Sequence, residues 1–223
     1  MEKLILWDID GTLLKLNLSK LENHSKAFET IYGIKYHLDF DTSGMTDTQI
    51  FLVILQKNKL ICTPKILQAL HEQLNALTLF NLTANPSILN PSIEGTLEET
   101  VKLGWVNGLL TGNTRTRSTI KLQNTSIFKK IDFTYGYFGD IAVNRFTLLD
   151  NCLKELQQFK NYKILLVGDT PLDILTAQSK NLPIVALATG KFQVSDLKIF
   201  KPALLLADLD DGFQSFFDFL KTL

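Results

Sequence analysis

With 223 residues the chain is long enough to bury a substantial core in one large domain or two small ones. Lys plus Arg and Asp plus Glu both number 23, so the formal charge is zero; no basic excess exists for a nucleic-acid backbone and no polybasic block for a membrane surface. No apolar stretch approaches the length that spans a bilayer, and no basic-plus-apolar leader precedes the first predicted strand, so a cytoplasmic protein is expected.

The chain opens on a short apolar run, Leu4 to Trp7, that reads as a strand buried on both faces. It stops abruptly in Asp8-Ile9-Asp10-Gly11-Thr12. Alternate strand residues point to opposite faces, but at the carboxyl end the chain turns, so Asp8 and Asp10 can both approach one polar crevice. Two acids there would repel each other and lose hydration, and an oxygen-seeking divalent cation such as Mg²⁺ is the simplest way to neutralise them. Gly11 lets the backbone turn, and Thr12 can tie the loop.

After Leu14 the pattern is helical for about seventy residues, too long for an ordinary connection, and this span is expected to fold as an insert. Ser19-Lys20-Leu21-Glu22 forms a capping box, with Leu21, Ala27, Phe28, Ile31 and Tyr32 at helical spacing until Gly33. Thr46 and Gln49 open a second helix through Ile50, Leu52, Val53 and Leu55. Thr63-Pro64 opens a third, whose buried stripe is Ile66, Leu67, Leu70, Leu74 and Leu77.

From Pro91 onward strands alternate with helices. The expected order is helix 92–103, strand 106–110, helix 114–123, an extended stretch 133–138, helix 145–159, strand 163–167, a helix after Pro171, strand 184–187, strand 203–206 and a terminal helix. Its Phe213, Phe216, Phe217 and Leu220 form a stripe suited to packing on the sheet. The fold class that follows is α/β, a Rossmann-like doubly wound parallel sheet with an inserted α-helical domain. Cys62 and Cys152 lie among apolar neighbours without metal-type spacing and read as reduced, core or half-buried thiols. His24, His37 and His71 read as surface or helix-packing residues.

Ligands of open parallel sheets bind outside the carboxyl ends of the strands, so the residues that follow each strand carry the functional reading. The strand ending at Leu110 is followed by Thr111-Gly112-Asn113-Thr114, a hydroxyl, a glycine that exposes backbone N–H groups and a helix start, which together can hold phosphate oxygens. The strand ending at Val167 is followed by Gly168-Asp169, with Asp173 on the first turn of the next helix; both acids offer oxygen ligands to the same cation. Such a cluster with an anionic substrate also calls for a fixed positive side chain, and Arg145 is preferred over Lys129, Lys130 and Lys154.

Taken in order, Asp8-x-Asp10-Gly11-Thr12, Thr111-Gly112-Asn113, Arg145 and Gly168-Asp169-x-x-x-Asp173 resemble the four motifs of the haloacid dehalogenase superfamily, over nearly the whole chain. The helical insert is similar to the cap of its phosphoglycolate phosphatase and β-phosphoglucomutase-like branch. Gly44-Met45-Thr46-Asp47 with Ile50 resembles the cap loop that faces the active site. The resemblance implies a core over 1–14 and 88–223 with a cap over 15–87. It makes Asp8 the nucleophile of an aspartyl-phosphate mechanism and Asp10 the acid–base. Mg²⁺ is expected on Asp8, the backbone carbonyl of Asp10 and Asp169, with Asp173 orienting the metal shell. Thr111, Gly112, Asn113, Arg145, Thr46 and Asp47 are expected to contact the substrate.

Two positions depart from the family pattern. Arginine stands at 145 where lysine is usual, and Met45 stands where relatives often carry a basic side chain. The implied activity is Mg²⁺-dependent hydrolysis of a small phosphorylated metabolite by a monomer or weak homodimer. A phosphomutase would share every core residue, a phosphonate hydrolase would need a reactive cap lysine such as Lys15, Lys20 or Lys26, and a non-catalytic binding module on the same fold is the alternative from another class.

Overall fold

The computed structural model describes residues 2–16, 22–158 and 161–223. Its centre is strand β1 (Glu2–Trp7), flanked in parallel by β2 (Trp105–Thr111) and β4 (Tyr162–Gly168), so that Ile5 pairs with both Asn107 and Leu165. With β3 (Gly136–Phe138), β5 (Ile184–Leu187) and β6 (Leu204–Leu206) they form a six-stranded parallel sheet in the order β3-β2-β1-β4-β5-β6. Strand order reverses between β1 and β4. There the crossovers depart to opposite faces and leave a crevice at the carboxyl ends.

Period-two alternation sorts the central strands onto two cores. Ile5, Trp7, Leu109, Leu165 and Val167 pack with α4 (Ile93–Lys102), α5 (Arg115–Leu122) and α9 (Phe213–Thr222). Leu4, Leu6, Leu110, Ile164 and Leu166 pack with α6 (Arg145–Gln157), α7 (Pro171–Gln178) and α8 (Val194–Lys198). Phe216, Phe217 and Leu220 are buried against the first face, as the terminal stripe predicts. Apolar strands covered on both faces are what a parallel sheet requires, because its crossover helices occupy both sides.

Between β1 and β2 the chain inserts α1 (Asn23–Tyr32), α2 (Asp47–Lys57) and α3 (Pro64–Ala84), which form the cap. They bury a cluster of their own around Phe28, Phe51, Ile54, Leu70 and Leu74. The chain leaves and re-enters the core side by side: Lys15 donates to the Ile88 carbonyl at 2.8 Å and Asn90 to the Leu13 carbonyl at 3.0 Å. Helix α4 belongs to the sheet layer.

Several local expectations are corrected. On α3 only Leu70 and Leu74 of the expected buried stripe are fully buried, with Thr78 beside them, while Ile66, Leu67 and Leu77 are half-buried at the edge of the small insert. Ile31, in the last turn of α1, is exposed. Extended structure before the third helix crossover shrinks to three residues because Phe133–Tyr135 closes a 3-10 turn, with Asp132 accepting from the Thr134 N–H. Cys62 is exposed rather than half-buried, whereas Cys152 lies in the core. The Ser19–Leu21 part of the first capping box and Phe159 lie outside the described residues.

Candidate active site

Four chain segments converge at the carboxyl ends of β1, β2 and β4. The first is the turn after β1. Gly11 has φ +87°, and a Cβ there would overlap the Asp169 carboxylate, so the turn needs glycine both for its backbone and for its approach to the acid. Thr12 Oγ1 donates to Asp169 Oδ1 at 3.1 Å. Asp8, Asp169 and Asp173 are all buried, and one oxygen of each lies within 4.8 Å of the others.

Arg145 is the first residue of α6, which Asn144 caps by accepting from the Thr147 N–H at 2.9 Å. A cation is disfavoured at a helix amino terminus, so its place there requires acids nearby. The guanidinium donates to Asp8 Oδ1 at 2.8 Å, pairs with Asp173 Oδ1 at 2.5 Å, and reaches the carbonyls of Leu110 and Gly44 at 3.1 and 3.0 Å. Asp173 is doubly engaged: its Oδ2 accepts from the N–H and Oγ1 of Thr170 at 3.0 and 2.7 Å, completing the capping box of α7.

Three carboxylates therefore share one guanidinium. Burial, and then Asp173 and Asp10, push Asp8 up to about 6 against the pull of Arg145. Asp169 is raised well above the carboxylate range by burial and by Asp8 and Asp173. Arg145 is held protonated by Asp173 and Asp8 in spite of its burial. Buried, oxygen-rich and short of positive charge, the cluster fits a hard divalent cation.

Asp10 takes a different path. Its carboxylate turns to the β2–α5 side, where Oδ2 accepts from Asn113 Nδ2 at 2.9 Å and from Lys121 Nζ. Lys121 also donates to Asn113 Oδ1 at 2.6 Å, and Asn113 Nδ2 donates to Thr111 Oγ1 at 2.9 Å. Burial would raise Asp10, but Lys121 and Arg117 outweigh it and hold the carboxyl at about 2. Burial and the neighbouring Arg117 bring Lys121 down to about 8.

The expected cap contacts, Thr46 and Asp47, are engaged in the seam between insert and core. Thr46 caps α2 and donates to the Val143 carbonyl at 2.9 Å, while Thr48 donates to the Gly139 carbonyl at 2.7 Å. Asp47 Oδ1 meets Arg117 at 2.5 Å and His24 at 2.9 Å, its Oδ2 accepts from the Thr114 N–H at 3.1 Å, and its own N–H donates to the Gly112 carbonyl at 2.8 Å. Arg117 and then His24 hold Asp47 well below the usual carboxylate range against the opposing effect of burial. A Cβ on Gly112 would overlap the Met45 carbonyl, which fixes how closely the two loops meet.

Below this seam opens a cavity of about 810 Å³ reaching from Asp8, Asp10, Thr111, Gly112, Asn113, Arg145 and Asp169 outward to the insert. Sequence reasoning missed three residues around it: Lys121, Arg117 and His24. The signal available for two of them is that Arg117 and Lys121 stand four apart on one helix, an arrangement that is repulsive unless acids face it.

The haloacid dehalogenase-like hydrolase family profile matches residues 5–187. No curated protein matches the sequence. Among solved structures, a hydrolase from Pseudomonas syringae is similar at 17% identity and a TM-score of 0.69, covering 96% of this chain and 99% of its own. A predicted phosphoglycolate phosphatase from Haemophilus somnus is 19% identical with a TM-score of 0.66, covering 96% and 97%. CbbY from Rhodobacter sphaeroides, solved with xylulose-(1,5)bisphosphate, is 17% identical with a TM-score of 0.66, covering 93% and 95%. Among the described residues no helix is long and apolar enough to cross a membrane. With the acids at the switch point of the sheet, a helical insert above them and a family match over most of the chain, this protein belongs to the haloacid dehalogenase-like hydrolases.

Proposed function

We propose that the protein is a Mg²⁺-dependent phosphatase that hydrolyses a small phosphorylated metabolite through an aspartyl-phosphate on Asp8. The observation that carries this reading is the buried group Asp8, Asp169 and Asp173, which among the described residues pairs with the single cation Arg145, beside a cavity lined by Asp8 and Asp169. When bound by Asp8, Asp169 and the backbone carbonyl of Asp10, Mg²⁺ would supply charge neutralisation between nucleophile and phosphoryl group.

The remaining work falls to the chain. Arg145 fixes the Asp8 carboxylate by one oxygen, so its approach to phosphorus is set before substrate arrives. Thr111 Oγ1 accepts from Asn113, which leaves its own O–H to donate to an equatorial phosphoryl oxygen. The monoester enters with one proton on its phosphate, which the ionised Asp10 takes up; Asp8 attacks phosphorus as the bond to the leaving oxygen breaks, and Asp10 passes that proton to the departing oxygen. Asp10, ionised at rest, then takes a proton from the water that attacks the aspartyl-phosphate, which releases phosphate and restores Asp8. The insert lines the outer part of the cavity and so shapes the leaving-group pocket.

The test is hydrolysis of p-nitrophenyl phosphate by the purified protein. Turnover is expected with Mg²⁺, lost on chelation and lost in Asp8→Asn. Activity that persists in Asp8→Asn would overturn the aspartyl-phosphate route. Activity unchanged by chelation would overturn the cation.

A further inference from the structure

Helix α5 runs beneath the acids and carries two buried cations one turn apart. Arg117 is matched to Asp47 of the insert. Lys121 has a side chain only 1% exposed, in a residue type almost never buried without a partner. Its partners are Asp10 and the amide oxygen of Asn113. Asn113 in turn donates to the same Asp10 oxygen, Oδ2, and to Thr111. A closed ring of Lys121, Asn113 and Asp10 results. Both donors grip one carboxylate oxygen, and among the described residues none holds Oδ1, which is the oxygen that exchanges a proton with whatever occupies the cavity that Asp10 lines.

This arrangement has a consequence for the cation. A carboxylate two residues from Asp8 with free torsions would be drawn toward a divalent ion as an extra oxygen ligand, and one bound in that way no longer serves as a proton carrier. Resting on the phosphatase reading above, we propose that Lys121 is a positioning residue for the acid–base step. Its ammonium, with the Asn113 amide, keeps the Asp10 carboxylate aimed at the leaving-group oxygen and out of the cluster formed by Asp8, Asp169 and Asp173.

Lys121→Met keeps the length of the side chain and removes its donors; Lys121→Gln, which keeps a neutral donor, replaces it if the first variant does not fold. Three measurements separate positioning from mere support. Mg²⁺ binding, followed by calorimetry without substrate, is expected to be at least as tight in the variant as in the parent, because the cation ligands are intact; loss of binding would make Lys121 a prop and overturn the proposal. The value of kcat/KM, which reports the step that expels the leaving group, should fall on the order of 100-fold for an alkyl phosphate but less than about 10-fold for p-nitrophenyl phosphate, whose leaving group departs without a proton. Equal losses on the two substrates would overturn it.

Finally, Lys121→Met added to Asp10→Asn should cost nothing further, since the residue acts through Asp10. An undiminished additional loss would overturn it as well. Failure of the unaltered protein to hydrolyse either ester is a different outcome, because it removes the phosphatase reading itself.

Discussion

Two groups of acids meet at the same cavity, and within them the ionisation of Asp8 and Asp169 is driven opposite to that of Asp10 and Asp47. In the first, Asp8, Asp169 and Asp173 gather around one guanidinium, and both Asp8 and Asp169 are pushed toward the protonated form. In the second, Asp10 and Asp47 face Lys121 and Arg117, and both acids are held ionised. Burial opposes ionisation in all four; the number of cations within reach decides the outcome. The first group is left short of positive charge at neutral pH, and a divalent ion completes it. The second is neutral in itself and ties insert to core.

The largest test of this contrast is Asp169→Asn. Removing one of three crowded carboxyls, whose ionisation burial and its neighbours oppose, is expected to abolish cation-dependent turnover, by about 10³-fold or more, while raising the melting temperature measured without divalent cation. A lower melting temperature in the absence of cation would mean that the acids do not repel one another in the folded protein.

Asp47→Asn probes the other group. It strips the counter-charge from a buried Arg117, a change of the kind that costs about 3–5 kcal/mol. Denaturant unfolding should register that loss, and hydrogen exchange should accelerate in α2 and α5. Unaltered stability would show that the seam does not depend on the ion pair.

A smaller effect should appear with pH. Asp8 is raised from 3.8 to about 6, so between these values the folded state binds more protons than the unfolded one. The stability this group contributes is full below its unfolded pKa and declines as pH rises through its folded pKa, by on the order of 3 kcal/mol without cation. Mg²⁺ competes with those protons and restores the loss. The stabilisation it adds should therefore grow as pH rises from about 4 through about 6, and go on growing while Asp169, raised further by burial and its acidic neighbours, gives up its proton. His24, lowered by burial, titrates with the opposite sign, and comparing unfolding with and without Mg²⁺ at each pH removes its contribution. An increment that is flat across this range would separate the cation from Asp8.

Much of this architecture was legible from local pattern. Apolar strands that end in acids, the glycine turn after β1 and the alternation of strands with helices are short-range features, and they placed Asp8, Asp10, Thr111 and Asp169 at one end of the sheet; Arg145 was singled out by its place in the order of motifs that resembles the family. The second acid group was not legible in that way. Asp10 and Lys121 are 111 positions apart, and Asp47 and Arg117 are 70 apart. No periodicity pairs them. Thr46 and Asp47 were expected at the substrate because their loop resembles one that faces the site; the structure adds that their polar atoms also bind the core, while Asp47 lines the cavity.

By itself, then, the sequence determined which residues end each strand, and with them the chemistry at the rim, because strand burial and chain turning are set by neighbours a few residues away. Tertiary structure alone decided how those acids divide. Only when α5 packs between β3 and α3 of the insert do Lys121 and Arg117 reach Asp10 and Asp47, leaving Asp8 and Asp169 with too little positive charge. The physical reason is that the ionisation of a buried carboxylate depends on charges brought near it in space, and distance along the chain carries almost no information about those.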